Sequence, residues 1–221
     1  ETLDAWQTHV IDDARPWRAV FVETADPDGD GLKDVISGAW WYRNSGPPAG
    51  EWTRAEIGAP LNQMAVVADF DGDGDSDILG TVQDGPQPQH GRVFVLAQND
   101  GAGNFTIHDT IAEGSGDFLQ GAVVLALGDE RRVALSWHNG NGGIETLAVP
   151  ADPAGDPWPV GAIASVSQKE QLSAGDIDND GDSDLLLGTV WLQNNPDGWT
   201  EHMLVANAAY AADRNRLADM D

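Results

Sequence analysis

The sequence predicts an all-β protein made of repeated four-stranded sheets, and three observations carry that prediction. An aspartate-rich loop occurs three times, as "DPDGDGLKDVI" (26–36), "DFDGDGDSDIL" (69–79) and "DIDNDGDSDLL" (176–186). The first aspartates of these loops, Asp26, Asp69 and Asp176, stand 43 and 107 residues apart, one period and about two. Short apolar and β-branched runs flank each loop, and no stretch sustains a helical period.

The elements follow in order. Before each loop comes a short apolar run, "AVFVET", "MAVVAD" or "QLSAGD"; after it comes "DVISGAWW", "DILGTV" or "DLLLGTVW". Further on, an aromatic residue opens an alternating tail: "WTRAEI" at Trp52, "FTIHDTI" at Phe105 and "WTEHMLV" at Trp199. These segments, parted by Gly, Asp and Pro turns, give about four strands per repeat. The gap between the second and third loops holds "LQGAVVLALGDERRVALSWHNGNGG", where a short "GDERR" turn replaces the aspartate loop. That copy is expected to keep its sheet and to have lost its metal site. A four-stranded unit with a period of 43 to about 54 residues reads as a blade of a β-propeller, since one such sheet cannot bury both faces alone.

The expected boundaries are an N-terminal strand at 1–13, blades at 14–57 and 58–112, a degenerate blade at 113–149, a blade at 150–207, and the start of another at 208–221. "WQTHVI" at Trp6 matches the closing strand of a blade, and a fourth loop opens at Asp219. About four complete blades, with these leftovers, are expected to be part of a larger six- to eight-bladed ring, completed by further sequence or by another chain.

Composition narrows the function. Lys and Arg number 11 against 37 Asp and Glu, a net charge of −26, which disfavours nucleic acid and anionic membrane surfaces as partners. There are no cysteines, which excludes disulfides and thiolate-bound zinc. The apolar runs are too short for a membrane-spanning helix. The chain opens on Glu1 rather than Met, as a processed product would, and a secreted or surface location is expected.

The aspartates are placed for a cation. Positions 1, 3, 5 and 9 are Asp26, Asp28, Asp30 and Asp34; Asp69, Asp71, Asp73 and Asp77; and Asp176, Asp178, Asp180 and Asp184. Alternating hard oxygen donors with Gly at position 6 (Gly31, Gly74, Gly181) match Ca²⁺ held at about 2.4 Å, and position 7 (Leu32, Asp75, Asp182) would add a backbone carbonyl. The Asp75 carboxylate is expected to face solvent. An EF-hand is rejected, because position 12 is Ser37, Gly80 or Leu187 where that motif needs Glu, and the flanks are strands. Three Ca²⁺ sites are expected.

These D-x-D-x-D-G-x-x-D loops at blade spacing resemble the FG-GAP/VCBS repeats of integrin α-subunit propellers and secreted microbial proteins. The resemblance covers nearly the whole chain. It implies a loop between the first two strands of each blade and a structural calcium ion. "SGAW" and "LGTV" stand where FG-GAP repeats often show Gly-Ala-Pro, which places the chain nearer the bacterial repeats than the integrins.

No nucleophile elbow, zinc helix or phosphate loop is present. His9, His108 and His202 occupy matching places in the tails, as a structural role would require; His90 and His138 are unique to their blades. Trp41 and Trp191 align, which points to packing between blades. Trp40, Tyr42, Trp137, His138 and Trp158 are the candidate ligand-binding residues, and rings at Trp17, Trp137 and Trp158 in blade-edge turns could stack on a sugar. The expected function is binding, adhesion or assembly, with a protein or carbohydrate ligand and no catalysis in this chain. The alternatives are a subunit that self-assembles through its N-terminal strand and open last blade, and the propeller of a lyase- or dehydratase-type carbohydrate enzyme.

Overall fold

The computed structural model describes residues 8–14, 19–46, 50–83, 91–139, 143–168, 170–206 and 215–218. Its described residues form sixteen strands in four antiparallel sheets. The first sheet is β1 (Val22–Ala25), β2 (Asp34–Ser37), β3 (Trp40–Asn44) and β4 (Trp52–Glu56). The second is β5 (Gln63–Ala68), β6 (Asp77–Thr81), β7 (Val93–Asn99) and β8 (Phe105–Glu113). The third is β9 (Leu119–Leu127), β10 (Glu130–Trp137), β11 (Ile144–Ala148) and β12 (Val160–Ala164). The fourth is β13 (Ser173–Gly175), β14 (Asp184–Leu186), β15 (Val190–Asn195) and β16 (Gly198–Met203).

Each sheet is an up-and-down meander in chain order, and the first strands touch in series: β1 against β5, β5 against β9, β9 against β13. Four meanders stacked through their first strands are consecutive blades of a β-propeller. The core lies between the blades. Because side chains alternate across a strand, β10 serves two clusters. Val133, Leu135 and Trp137 join Phe94, Leu96 and Leu119 on the side of the second blade, while Ala134 joins Leu125, Ile144, Leu185 and Leu192 on the side of the fourth.

In the third blade the "GDERR" turn is a two-residue hairpin, Gly128–Asp129 closing between Leu127 and Glu130, with Gly128 at φ 58°. A positive φ at that corner suits Gly and matches the twist of the flanking strands. The third blade also runs further than its sequence foretells. It ends at Ala164 rather than 149, because "VGAIA" pairs with β11 as the outer strand. Lacking the aromatic-Thr mark of the other tails, this strand reads in sequence as part of the fourth repeat.

Of the expected N-terminal strand at 1–13, residues 1–7 lie outside the described residues; 8–13 form no strand, and His9 is exposed there. Of the expected blade start at 208–221, residues 207–214 and 219–221, Asp219 included, lie outside them. Residues 215–218 form no strand but cross the open side of β13, where Leu217 N donates to Ser173 Oγ at 2.8 Å. Arg216 there pairs with Glu23 of β1 at 3.2 Å.

Candidate metal centres

Each aspartate loop links the first two strands of its blade: 26–33 between β1 and β2, 69–76 between β5 and β6, 176–183 between β13 and β14. The glycines at position 6 have φ of 84°, 97° and 97°, the left-handed turn that lets the chain double back. The position 1 carboxylates hold this turn by accepting backbone N–H groups. Asp26 takes Asp30 N and Gly31 N at 3.1 and 2.8 Å. Asp69 takes Gly72 N and Gly74 N at 2.7 and 3.1 Å. Asp176 takes Asp180 N and Gly181 N at 3.1 and 3.0 Å. Position 5 then accepts the N–H of position 7 in all three loops, Leu32 at 2.9 Å, Asp75 at 3.1 Å and Asp182 at 2.9 Å.

Position 9 is fully buried and ties the loop to the third strand. Asp77 accepts Phe70 N at 3.0 Å and Asn99 N at 2.9 Å; Asp184 accepts Ile177 N at 3.0 Å and Asn194 N at 2.8 Å. In the first blade Asp34 accepts Asn44 N at 2.7 Å and Trp41 Nε1 at 2.6 Å. Burial pushes Asp34 and Asp77 upward from the usual carboxylate pKa, and these N–H groups pull against it.

Position 3 is reached from the third strand. Gln98 Nε2 donates to Asp71 and Gln193 Nε2 to Asp178, while Arg43 Nε lies 2.5 Å from Asp28 Oδ2. Behind the glutamines, His108 Nε2 meets Gln98 Oε1 at 3.2 Å and His202 Nε2 meets Gln193 Oε1 at 2.8 Å. The matching placement of His108 and His202 is therefore a shared bracing role. The glutamines were missed in the sequence, although the repeated pairs Arg43-Asn44, Gln98-Asn99 and Gln193-Asn194 were its legible signal.

Carboxylate oxygens converge to within 4.8 Å of one another in three sets: Asp26, Asp28 and Asp30; Asp69, Asp71 and Asp77; Asp176, Asp178 and Asp184. Asp34, Asp73 and Asp180 stand outside these sets, and Leu32, Asp75 and Asp182 are placed by their N–H groups. The donors fit a hard cation. Asp28 has a side chain only 6% exposed, and its Oδ1 has no hydrogen-bond partner. An unpaired buried carboxylate oxygen is costly, and a divalent ion beside it removes that cost.

Asp75 departs from expectation. Its Oδ1 is buried without a hydrogen-bond partner, and its carboxylate faces Gly101 rather than solvent. Burial, with repulsion from Asp73 and Asp77, pushes its pKa up to about 6. The loops are also gripped by the following blade. Asn99 Nδ2 donates to Pro27 O at 2.8 Å, and Arg131 of the degenerate turn donates to Asp69 O and Phe70 O, both at 2.7 Å.

Among the described residues, four of the five expected ligand-binding residues, Trp40, Tyr42, Trp137 and Trp158, are buried. Trp137 is 0% and Trp158 2% exposed. Their indole N–H groups donate to Glu145 Oε2 and Pro153 O, and their rings meet Phe94 and Phe70 edge-on. What read as blade-edge turns fold back into the space between blades, which needs large apolar rings. Trp40 and Tyr42 are buried too, with the Arg54 guanidinium 5.8 Å above the Trp40 ring. Trp41 packs edge-on against Phe105 of the next blade. Trp17 and His90 lie outside the described residues. His138 alone of the five stays open, its side chain 58% exposed, with Nδ1 2.9 Å from Asp117 Oδ2 and its ring stacked on Phe118.

The architecture and loops thus define the class, a β-propeller with acidic loops between the first two strands of three of its four described blades. Residues 26–80 match the model of the FG-GAP-like repeat family. Among solved structures, the rhamnogalacturonan lyase PL11 of Bacillus licheniformis is similar at 17% identity and a TM-score of 0.44. The alignment covers 77% of this chain and 40% of the lyase chain. No curated protein matches the sequence.

Proposed function

We propose that this protein is a calcium-stabilised propeller module acting outside the cell in binding or assembly, with a protein or carbohydrate ligand. One observation carries the reading: in three loops, carboxylates that repel one another converge, and one of them, Asp28, is buried with an unpaired oxygen. A Ca²⁺ ion turns that repulsion into coordination and locks the first two strands of each blade. In the first loop Asp26, Asp28 and Asp30 would hold it, in the second Asp69, Asp71 and Asp77, and in the third Asp176, Asp178 and Asp184. The ion supplies charge neutralisation and rigidity. Excess chelator should lower the melting temperature by several degrees, and calcium should restore it; an unchanged melting temperature refutes the reading.

Assembly is favoured by the fourth blade. Trp191 stands where Trp41 stands in the first, yet no following blade covers it among the described residues; its ring is part-exposed and stacked on His202 at 4.5 Å. A neighbouring blade, from further sequence or from another copy, would bury that ring. The mass of the native particle in calcium tests this, since a strict monomer of this chain opposes assembly between copies. The exposed Asp117–His138 pair supports a second reading, an active site of the lyase or dehydratase type. Turnover of a polysaccharide panel that His138→Ala abolishes would favour that reading over binding.

A further inference from the structure

We propose that Arg43 makes the first loop a weak calcium site, so that the second and third loops fill before it; the inference rests on the calcium reading above. The three loops agree at positions 1, 3, 5 and 9. They differ at positions 7 and 8, Leu32-Lys33 in the first loop against Asp75-Ser76 and Asp182-Ser183 in the others. They differ also in the residue that the third strand sends to position 3, whose side chain alone touches a carboxylate of the set. Gln98 and Gln193, which reach Asp71 and Asp178, are neutral. Arg43 occupies the same place in the first blade: it pairs across the sheet with Thr53, as Gln98 does with Thr106 and Gln193 with Thr200. Where His108 and His202 brace those glutamines, the first blade has Ala55, which leaves the guanidinium unbraced.

Arg43 Nε lies 2.5 Å from Asp28 Oδ2, and its Nη2 lies 3.5 Å from Asp30 Oδ2. A fixed positive charge therefore pairs with two of the three carboxylates that converge in this loop. Asp28 Oδ1 stays without a hydrogen-bond partner, so a donor for an ion remains. A Ca²⁺ ion entering the loop must either sit beside a like charge or push Arg43 aside. The arginine side chain is 51% exposed and has room to leave. Both routes weaken binding, because calcium affinity follows the net charge of the donor set. Without calcium the same arginine offsets part of the repulsion in its loop, as a neutral glutamine cannot.

Calorimetric titration of the calcium-stripped chain with CaCl₂ tests the assignment. The chain should bind two ions tightly and a third about tenfold or more weakly. Arg43→Gln should bring the third site level with the others. The reciprocal Gln98→Arg should leave one tight and two weak sites, and both changes copy residues that the fold already carries at this place. Three equal sites in the parent chain, or a weak site that Arg43→Gln leaves weak, overturns the assignment. Absence of calcium binding at every loop overturns the calcium reading itself, and the assignment with it.

Discussion

Replacing Asp77 with alanine separates the scaffold role of position 9 from any part it takes in holding a metal. Asp77 is fully buried, and its two oxygens accept Phe70 N at 3.0 Å and Asn99 N at 2.9 Å. The first of these groups belongs to the loop and the second to the end of β7, so one carboxylate pins loop, second strand and third strand together. Alanine strands two N–H groups, both on buried residues. Each unsatisfied buried donor costs about 1–3 kcal/mol, so the loss should reach about 2–6 kcal/mol, less whatever water entering the gap recovers. That is a large share of the 5–15 kcal/mol typical of a folded domain, roughly speaking. Asp71→Ala is the control. Asp71 is exposed and accepts Gln98 Nε2 and Asp73 N, groups that water can serve instead, and removing it also relieves repulsion in the loop. Urea unfolding followed by tryptophan fluorescence, in excess chelator, compares the two without metal. If Asp77→Ala falls within about 1 kcal/mol of Asp71→Ala, the scaffold role assigned to position 9 is wrong.

Two further outcomes follow from the same geometry. In calcium-free protein burial pushes the pKa of the Asp75 carboxyl up to about 6, above the usual carboxylate range. Its contribution to stability is therefore full below about pH 4 and is lost as the pH rises through 6. The urea midpoint in chelator should fall across that window and flatten in Asp75→Asn; a midpoint rising between pH 4 and 6 contradicts this. Gly116→Ala should destabilise by about 1–3 kcal/mol, since its Cβ would lie 2.0 Å from the Trp137 ring; an unchanged melting temperature would mean that the loop over this indole can shift freely.

Much of the fold was legible because it is written in short-range pattern. Strand alternation, the glycine at position 6 of each loop and the 43-residue spacing all act within one repeat, and a repeat has the same neighbours wherever it recurs. The degenerate third copy was visible through the shortness of "GDERR". Its outer strand, Val160–Ala164, was not, because only pairing with β11 distinguishes that stretch from a linker. The aspartate sets were readable by spacing. The glutamines and the arginine that address them come from the third strand, and their pairing partners lie 15 to 27 residues away in the two glutamine cases.

Trp41 packs between blades as its alignment suggested, but Trp40, Tyr42, Trp137 and Trp158, expected to face a ligand, are buried. Trp137 and Trp158 occur in turn-like sequence, and nothing local tells a ring that faces solvent from one that folds back against Phe94 or Phe70 of a neighbouring blade. Sequence by itself determined the repeat, the strands and the clustered carboxylates, since backbone preference and charge spacing are local properties. Tertiary structure alone decided which rings are buried, that Asp75 faces Gly101, and that Arg43 rather than a neutral amide lies against the first loop. Those outcomes depend on which surfaces meet when blades stack, and residues distant in the chain set that contact.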